Sequence, residues 1–329
     1  MKLSIILTAI LVVGQLHAQK LVSGRVISKQ SNAPLAFANI GILNSTVGTF
    51  SFEDGSFNII IPSDKLNDRL TFSALGYDKL HLNLSTLDST KLVVSLKEST
   101  KVLNEVNITA GREILNGTWG LTKVKSATGY SCTRGTGGFA MASFVPVGDE
   151  VFGIKKVNFF IGVSQLESYM MRVRFQAVEA NNQPGEDLFH ENIIVTSNIR
   201  EGWIGVDVTK YNIQFNQDFF LVIEWIMDES GTLKMLEYDA NPLSWDIVGS
   251  TIVNQKKMTY FDDDGEKITV ELTEEQIAEY KARVLPKVYI GSKKRNRRST
   301  PYSYWREGNM APWTREYDHE LVANFEYEY

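Results

Sequence analysis

The sequence predicts a mainly β chain of two β-sandwich domains with one short helix. Three observations carry this. Apolar residues alternate with polar ones in many short runs. Clusters of Gly, Pro, Asn and Asp separate these runs at close spacing. Aromatic residues reach 11%, with 13 Tyr and 17 Phe, and these residue types favour strands. A length of 329 residues suits two domains. With 43% hydrophobic and 22% charged residues, wholesale disorder is excluded. A single Cys excludes an intrachain disulfide scaffold. The net charge of −5 gives no general nucleic-acid-binding character.

Residues 1–18 read as a secretory signal peptide. Lys2 supplies a basic start, Leu3 to Val13 an apolar run, and Leu16-His17-Ala18 a small residue before a cut ahead of Gln19. The run is short for a membrane span, and an uncleaved N-terminal anchor is the alternative. No second long apolar run follows, so the mature chain is expected to lack a transmembrane span. Export without disulfides fits the periplasm or outer-membrane surface of a bacterium.

Residues 19–110 read as the first sandwich. Leu21 to Ile27, Leu35 to Leu43, Thr46 to Thr49, Phe57 to Ile61, Arg69 to Leu75, Leu80 to Leu84, Leu92 to Leu96 and Val102 to Ile108 are short strand-like runs. Glu53-Asp54-Gly55 is a turn, because Gly tolerates the positive φ of tight hairpins. Alternation places Leu70, Phe72 and Ala74 on one face.

The motifs Gly24-Arg25-Val26, Pro34-Leu35-Ala36-Phe37-Ala38-Asn39-Ile40, Gly48-Thr49, Glu53-Asp54-Gly55-Ser56-Phe57 and Leu70 to Tyr77 come in that order. This stretch resembles the carboxypeptidase-regulatory-like domain. Leu103 to Ala110 resembles the strand that ends such domains in surface proteins of Bacteroidetes-type bacteria. The resemblance implies a transthyretin-like fold with no catalytic role, often fused to outer-membrane TonB-dependent receptors, to peptidases or to other exported modules. A receptor of that kind needs a plug and a barrel of about 22 strands. Too little chain follows Ala110 to supply both.

Residues 111–138 read as a Gly-rich linker whose end leads into a second sheet, and residues 139–329 as the second β domain. Phe139 to Phe144, Ile154 to Gly162, Ile193 to Val195 and Gly202 to Val208 are strand-like. Met170 to Ala177 alternates cleanly, with Met171, Val173 and Phe175 inward and Arg172, Arg174 and Gln176 outward. Phe219 to Trp225 is apolar on both faces, as a central strand requires. Arg172-Val173-Arg174, Pro184 to Leu188, Gly202 to Val208 and Phe219 to Trp225 together resemble a jelly-roll-like module of exported bacterial proteins, whose rhythm also occurs in carbohydrate-binding sandwiches.

The helix is expected at Thr273 to Val284, where Thr273-Glu274-Glu275-Gln276 forms a capping box. Before it, Asp262 to Gly265 turns a hairpin between Met258–Phe261 and Lys267–Val270. Ser292 to Thr300 reads as a basic loop able to meet an acidic surface, and Leu321 to Tyr329 as a closing strand.

Chemistry is sparse. His81, His190 and His319 sit in no zinc frame, so no metal and no cofactor is expected. Cys132 has no placeable base and reads as a small buried hydrophobe. Gly135 to Gly138 lacks the Lys-Ser/Thr of a phosphate loop, and Asp262 to Glu266 misses the spacing of a calcium loop. Tyr302, Tyr304, Trp305 and Trp313, with Tyr317 nearby, are the candidate ligand-binding residues. Exposed aromatics stack on sugar faces; the competing and favoured reading puts the same rings in the core.

The expected function is therefore an exported, non-enzymatic binding or scaffolding protein of the bacterial cell envelope. Its partner would be an envelope protein or a glycan, and not nucleic acid. Carbohydrate binding in a polysaccharide-handling system is the alternative. A hydrolase built on Asp207 and Glu224 is a third reading, and it requires those carboxylates to converge.

Overall fold

Strand formation follows the alternation. The computed structural model describes residues 19–87, 91–99, 116–124, 128–133, 138–148, 151–164, 168–226, 257–261, 267–271, 273, 287–294, 302–317 and 319–328. The first domain contains β1 (Lys20–Ser28), β2 (Asn39–Ile42), β3 (Gly48–Phe50), β4 (Ser56–Ile61), β5 (Arg69–Ser73), β6 (Leu80–Asn83) and β7 (Leu92–Leu96). They form a three-stranded sheet, β4-β1-β7, and a four-stranded sheet, β3-β2-β5-β6. All the pairs are antiparallel except β1 with β7.

In β4 the burial alternates strictly, so Phe57, Ile59 and Ile61 face inward with Val22 and Val26 of β1. Ile40, Leu70 and Phe72 answer from the second sheet. This shared apolar layer is what makes the two sheets a sandwich. The Glu53-Asp54-Gly55 turn is observed, with Gly55 at φ 80°. Asp54 Oδ1 accepts the Ser56 amide at 2.8 Å, and a Cβ on Gly55 would meet the Val26 carbonyl at 2.5 Å. Only glycine fits there.

The rest of the chain forms β8 (Asn116–Gly120), β9 (Thr128–Thr133), β10 (Ala140–Val145), β11 (Phe152–Ser164), β12 (Tyr169–Val178), β13 (Pro184–Asp187), β14 (Ile193–Ser197), β15 (Gly202–Asp207), β16 (Ile213–Phe215) and β17 (Phe219–Ile226). After these come β18 (Lys257–Phe261), β19 (Lys267–Glu271), β20 (Lys287–Lys294), β21 (Ser303–Arg306), β22 (Thr314–Glu316), β23 (His319–Leu321) and β24 (Ala323–Glu328). A seven-stranded sheet runs β13-β12-β17-β10-β21-β22, with β14 also on β12. An eight-stranded sheet runs β23-β20-β11-β24-β8, with β15 and β16 on β11 and β9 on β20. Met171, Val173, Phe175, Leu221, Ile223 and Trp225 from the first of these sheets pack on Val157, Phe159, Ile161 and Phe325 from the second. The β18–β19 pair is the hairpin expected around residues 262–265.

The structure differs from the sequence reading in two places. Part of the expected linker is strand: β8 pairs with β24 and β9 with β20. Its glycines pack as well as bend, since a Cβ on Gly117 would strike the Tyr327 ring. The start of the expected basic loop, Ser292 to Lys294, is the end of β20 and pairs with β23. Helical structure among the described residues is limited to two three-residue 3₁₀ turns, Ser63–Lys65 and Thr209–Tyr211. The expected helix beyond Thr273, the signal segment, the strand at 102–108 and the acidic turn lie outside the described residues.

The two sandwiches touch through specific polar contacts. The β2–β3 hairpin of the first lies against the outer face of the seven-stranded sheet. Arg172 Nη1 donates to the Phe37 carbonyl at 2.9 Å and Nη2 to Asn39 Oδ1 at 2.8 Å. Asn309 Nδ2 donates to the Thr49 carbonyl at 2.6 Å, and the Asn44 amide to the Met310 carbonyl at 2.9 Å.

Candidate functional site

The registers of the seven-stranded sheet lay its outward side chains in rows. One row crosses Arg172 on β12, Glu224 on β17, Ala140 on β10 and Arg306 on β21. The next crosses Arg174, Val222, Ala142, Tyr304 and then Arg315 on β22. The third holds Gln176, Phe220 and Phe144, with Tyr302 edge-on to Phe144 at 5.5 Å between centroids. The outer face therefore has an ionic end, where the first domain docks, and an aromatic end.

At the ionic end Glu224 is fully buried and Arg172 is 1% exposed. Glu224 Oε2 accepts from Arg172 Nε at 2.8 Å and from Arg174 Nη1 at 3.2 Å. Its Oε1 accepts from Arg174 Nη1 at 3.2 Å and from Arg306 Nη2. Arg174 also grips Asp187 with two parallel bonds, Nε to Oδ1 at 2.8 Å and Nη2 to Oδ2 at 2.5 Å. Such planar, bidentate pairing is what guanidinium groups do best. Burial pushes the Glu224 carboxyl up, but Arg172, then Arg174 and Arg306, outweigh it and hold the group down at about 2. Burial lowers the Arg306 guanidinium to about 10, helped by its like-charged neighbours Arg174 and Arg172. Arg174 moves the other way, because Asp187 and Glu224 together overcome its burial.

Three guanidinium groups thus face two carboxylates. Arg306 is the one left short: its Nε is buried and donates to no protein atom among the described residues. Instead its Cζ lies 4.7 Å from the Trp313 ring centroid.

At the aromatic end Phe144, Phe220, Val222 and Tyr304 form a small cluster, with Tyr302, Trp313 and Val178 packed on it. Phe220 meets Phe144 and Tyr304 edge-on at 5.6 Å each. On the rim the Arg315 Cζ lies 4.7 Å from the Tyr302 ring and 5.1 Å from the Tyr317 ring. Tyr317 is 69% exposed, the most exposed large hydrophobic side chain described.

The four sequence candidates divide. Tyr302 and Trp313 lie half-buried on the outer face. Tyr304 is only 2% exposed, so its ring is core and no ligand reaches its face. Trp305 is on the same strand but points the opposite way and packs against the inter-sheet core. Sequence reasoning missed Arg315 as a member, and it read Arg172 and Arg174 as merely outward. A signal was present: Glu224 stands alone inside the apolar run of β17, and a buried carboxylate needs a cation.

The hydrolytic pair does not form, because Asp207 lies on β15 in the other sheet, where its Oδ1 accepts from the amide and the hydroxyl of Thr209. The histidines are scattered: His81 Nδ1 bonds Thr71 Oγ1 at 2.9 Å, and His319 sits 3.8 Å from Glu316. Among the described residues, no three His, Cys, Asp or Glu side chains cluster to hold a metal. No described helix is long and apolar enough to cross a membrane. Cys132 lies on β9 opposite Val288.

With the geometry in hand, comparison with known proteins gives one family. Residues 22–108 match the CarboxypepD_reg-like domain, the whole first sandwich and the resemblance expected from its motifs. No curated protein matches the chain. Among solved structures, the cysteine protease and lectin-like domains of Cwp84, a surface layer associated protein of Clostridium difficile, are 9% identical with a TM-score of 0.35. That alignment covers 95% of this chain and 59% of the other, so this chain spans about three-fifths of that length. The same protease after propeptide cleavage gives 10% identity, 93% and 70% coverage and a TM-score of 0.33. A structure of infectious bursal disease virus gives 9%, 94% and 64%, and 0.22. Scores at this level do not define a shared fold.

Proposed function

We propose that the protein is an exported, non-enzymatic binding and scaffolding protein of the bacterial cell envelope. In this reading a CarboxypepD_reg-like sandwich is fixed as a rigid companion to a larger sandwich that carries the recognition surface. The observation behind it is how the buried charge is used. Both oxygens of Glu224 are consumed by arginines, and one of those arginines holds the first domain through Phe37 and Asn39. Ionisable groups placed this way orient domains and have no free valence for proton transfer. Functional residues then fall to the rim of the sheet, as in other rigid β scaffolds. Capture of a partner from native envelope by the chain from residue 19 onward tests this. Specific recovery of one envelope component, lost when Arg315 is changed, is expected. Turnover of an envelope substrate by the purified chain would overturn it.

Glycan binding is the second reading, and a separate observation favours it. Tyr302 and Tyr317 flank the exposed Arg315 guanidinium at the edge of the sheet face, and Trp313 lies against the buried Arg306 guanidinium on the neighbouring strand. Rings that offer apolar area beside a fixed polar donor suit a sugar, with its CH face and its hydroxyl edge. Titration with a glycan panel, followed by tryptophan fluorescence, checks it through Trp313.

A further inference from the structure

We propose that the rim of the outer face binds an acidic glycan, a saccharide carrying carboxylates, with Arg315 as the carboxylate receptor and Tyr302 and Tyr317 as the stacking walls. This rests on the glycan reading above and narrows it to a substrate class.

The first support is the state of Arg315. Two tyrosine rings hold its guanidinium, with centroids 4.7 and 5.1 Å from Cζ. The side chain is exposed, and the described residues offer it no carboxylate and no hydrogen-bond acceptor. Rings take up the face of a guanidinium and leave its edge free, and that edge is the fork that binds a carboxylate bidentately. An arginine placed only to stabilise the sheet would be expected to reach a carboxylate, as Arg174 does with Asp187.

The second support is the charge balance beneath it. The outer face carries Arg172, Arg174, Arg306 and Arg315 against Glu224 and Asp187 among the described residues. That leaves two positive charges in excess, in a chain whose net charge is −5. Arg306, the poorly compensated member, stands on the strand beside Arg315, with a buried Nε that has no partner among the described residues and its guanidinium on Trp313. A local positive field inside an acidic protein draws anions and repels nothing it needs to bind. The third support is shape: on the accessible rim the Arg315 cation lies between two rings, Tyr302 on β21 and Tyr317 just past β22. An acidic sugar presents the same alternation of apolar CH patch and carboxylate.

The test is calorimetric titration of the chain from residue 19 onward with hexasaccharides of galacturonate, mannuronate and hyaluronate. The controls are the same oligosaccharides with their carboxyls reduced to alcohols, and a glutamate hexapeptide. Expected is binding of at least one uronate chain that weakens tenfold or more on carboxyl reduction and weakens with added salt. Arg315→Ala should weaken it at least tenfold; Arg315→Lys should recover only part, since an ammonium keeps the charge without the planar fork. Tyr317→Ala, at an exposed ring, should weaken it severalfold with the fold intact by circular dichroism.

Equal affinity for the acidic and reduced chains would overturn the acidic assignment and leave glycan binding standing. Equal affinity for the glutamate peptide would show that charge alone is read, and would overturn the saccharide. No binding to any of the oligosaccharides would overturn both readings.

Discussion

The two ends of the outer face of the seven-stranded sheet solve the same problem in opposite ways. Each must cover a sheet face that would otherwise lie against water. At one end the sequence places Arg172, Arg174, Glu224 and Arg306, and the cover is another domain, held by hydrogen bonds to its backbone and to Asn39. At the other it places Phe144, Phe220, Tyr302 and Tyr304, and the cover is the aromatic cluster itself, with Arg315 and Tyr317 on its rim. Buried charge demands specific partners, so the ionic end fixes one arrangement of the two domains. Aromatic packing makes no such demand beyond shape.

The largest effect should come from breaking the ionic end. Glu224→Gln keeps the shape and removes the only charge shared by three buried arginines. Removing one partner of a buried network costs on the order of 3–5 kcal/mol, and urea unfolding should show it. The chain from residue 19 onward should unfold in one calorimetric transition, and the variant in two, as the first sandwich releases from the second. A single transition in the variant would mean that the arginines do not link the domains.

Acid should act on the same group. The Glu224 carboxyl is held at about 2, below the 4.5 of a free glutamate. Its contribution is therefore complete above pH 4.5 and lost as the pH falls from 4.5 towards 2. Stability followed by urea midpoints across that window should fall more steeply for the native chain than for Glu224→Gln.

Next comes the aromatic end. Tyr304→Ala deletes a ring that is 2% exposed and meets Phe220 at 5.6 Å. Large-to-small changes at buried aromatics cost about 3–5 kcal/mol, and about 3 is expected here because the ring lies near the sheet's edge strand. Unlike Glu224→Gln, this variant should keep one transition, shifted down. If it splits the transition, the two ends are not independent.

A smaller effect should follow at the domain contact. A Cβ on Gly48 would meet Asn309 Oδ1 at 2.1 Å, so Gly48→Ala must turn that side chain away from the Thr49 carbonyl. Overpacking of this kind costs about 1–3 kcal/mol. Limited proteolysis between the domains should quicken, while the inner core of the second sandwich stays protected.

The same contrast explains what was legible in the sequence. Strands such as β4, β5 and β12 declare themselves because one face is apolar and the other is not. Period two is local information, and so is the Asp54-Gly55 turn. Alternation also put Arg172 and Arg174 on the outward face correctly. It could not show that outward here is still interior, because the cover comes from Phe37 and Asn39, some 135 residues away along the chain. The expected linker misled for a related reason. Gly117 and Gly120 suggest flexibility, yet β8 exists because β24, near the other end of the chain, offers it an edge. Tyr304 and Trp305 are adjacent in sequence, and a strand sends neighbours to opposite faces.

The smallest change in stability should come from Arg315→Ala, and its smallness is informative. The side chain is exposed, and its two ring contacts are at the rim. Exposed cation–ring contacts are worth about 0.5–1 kcal/mol, so the urea midpoint should barely move. Arg306→Met is the matched comparison at the buried end of the same hairpin. It removes a bond to Glu224 and a contact with Trp313, but it also removes the uncompensated positive charge. Replacing a poorly paired buried ion with an apolar side chain of similar size can cost little or even stabilise. The outcome separates two accounts of Arg306. A loss comparable to that of Glu224→Gln would make Arg306 an essential member of the ionic network. A near-neutral result would leave it a charge the fold tolerates, beside an Arg315 that meets no carboxylate among the described residues.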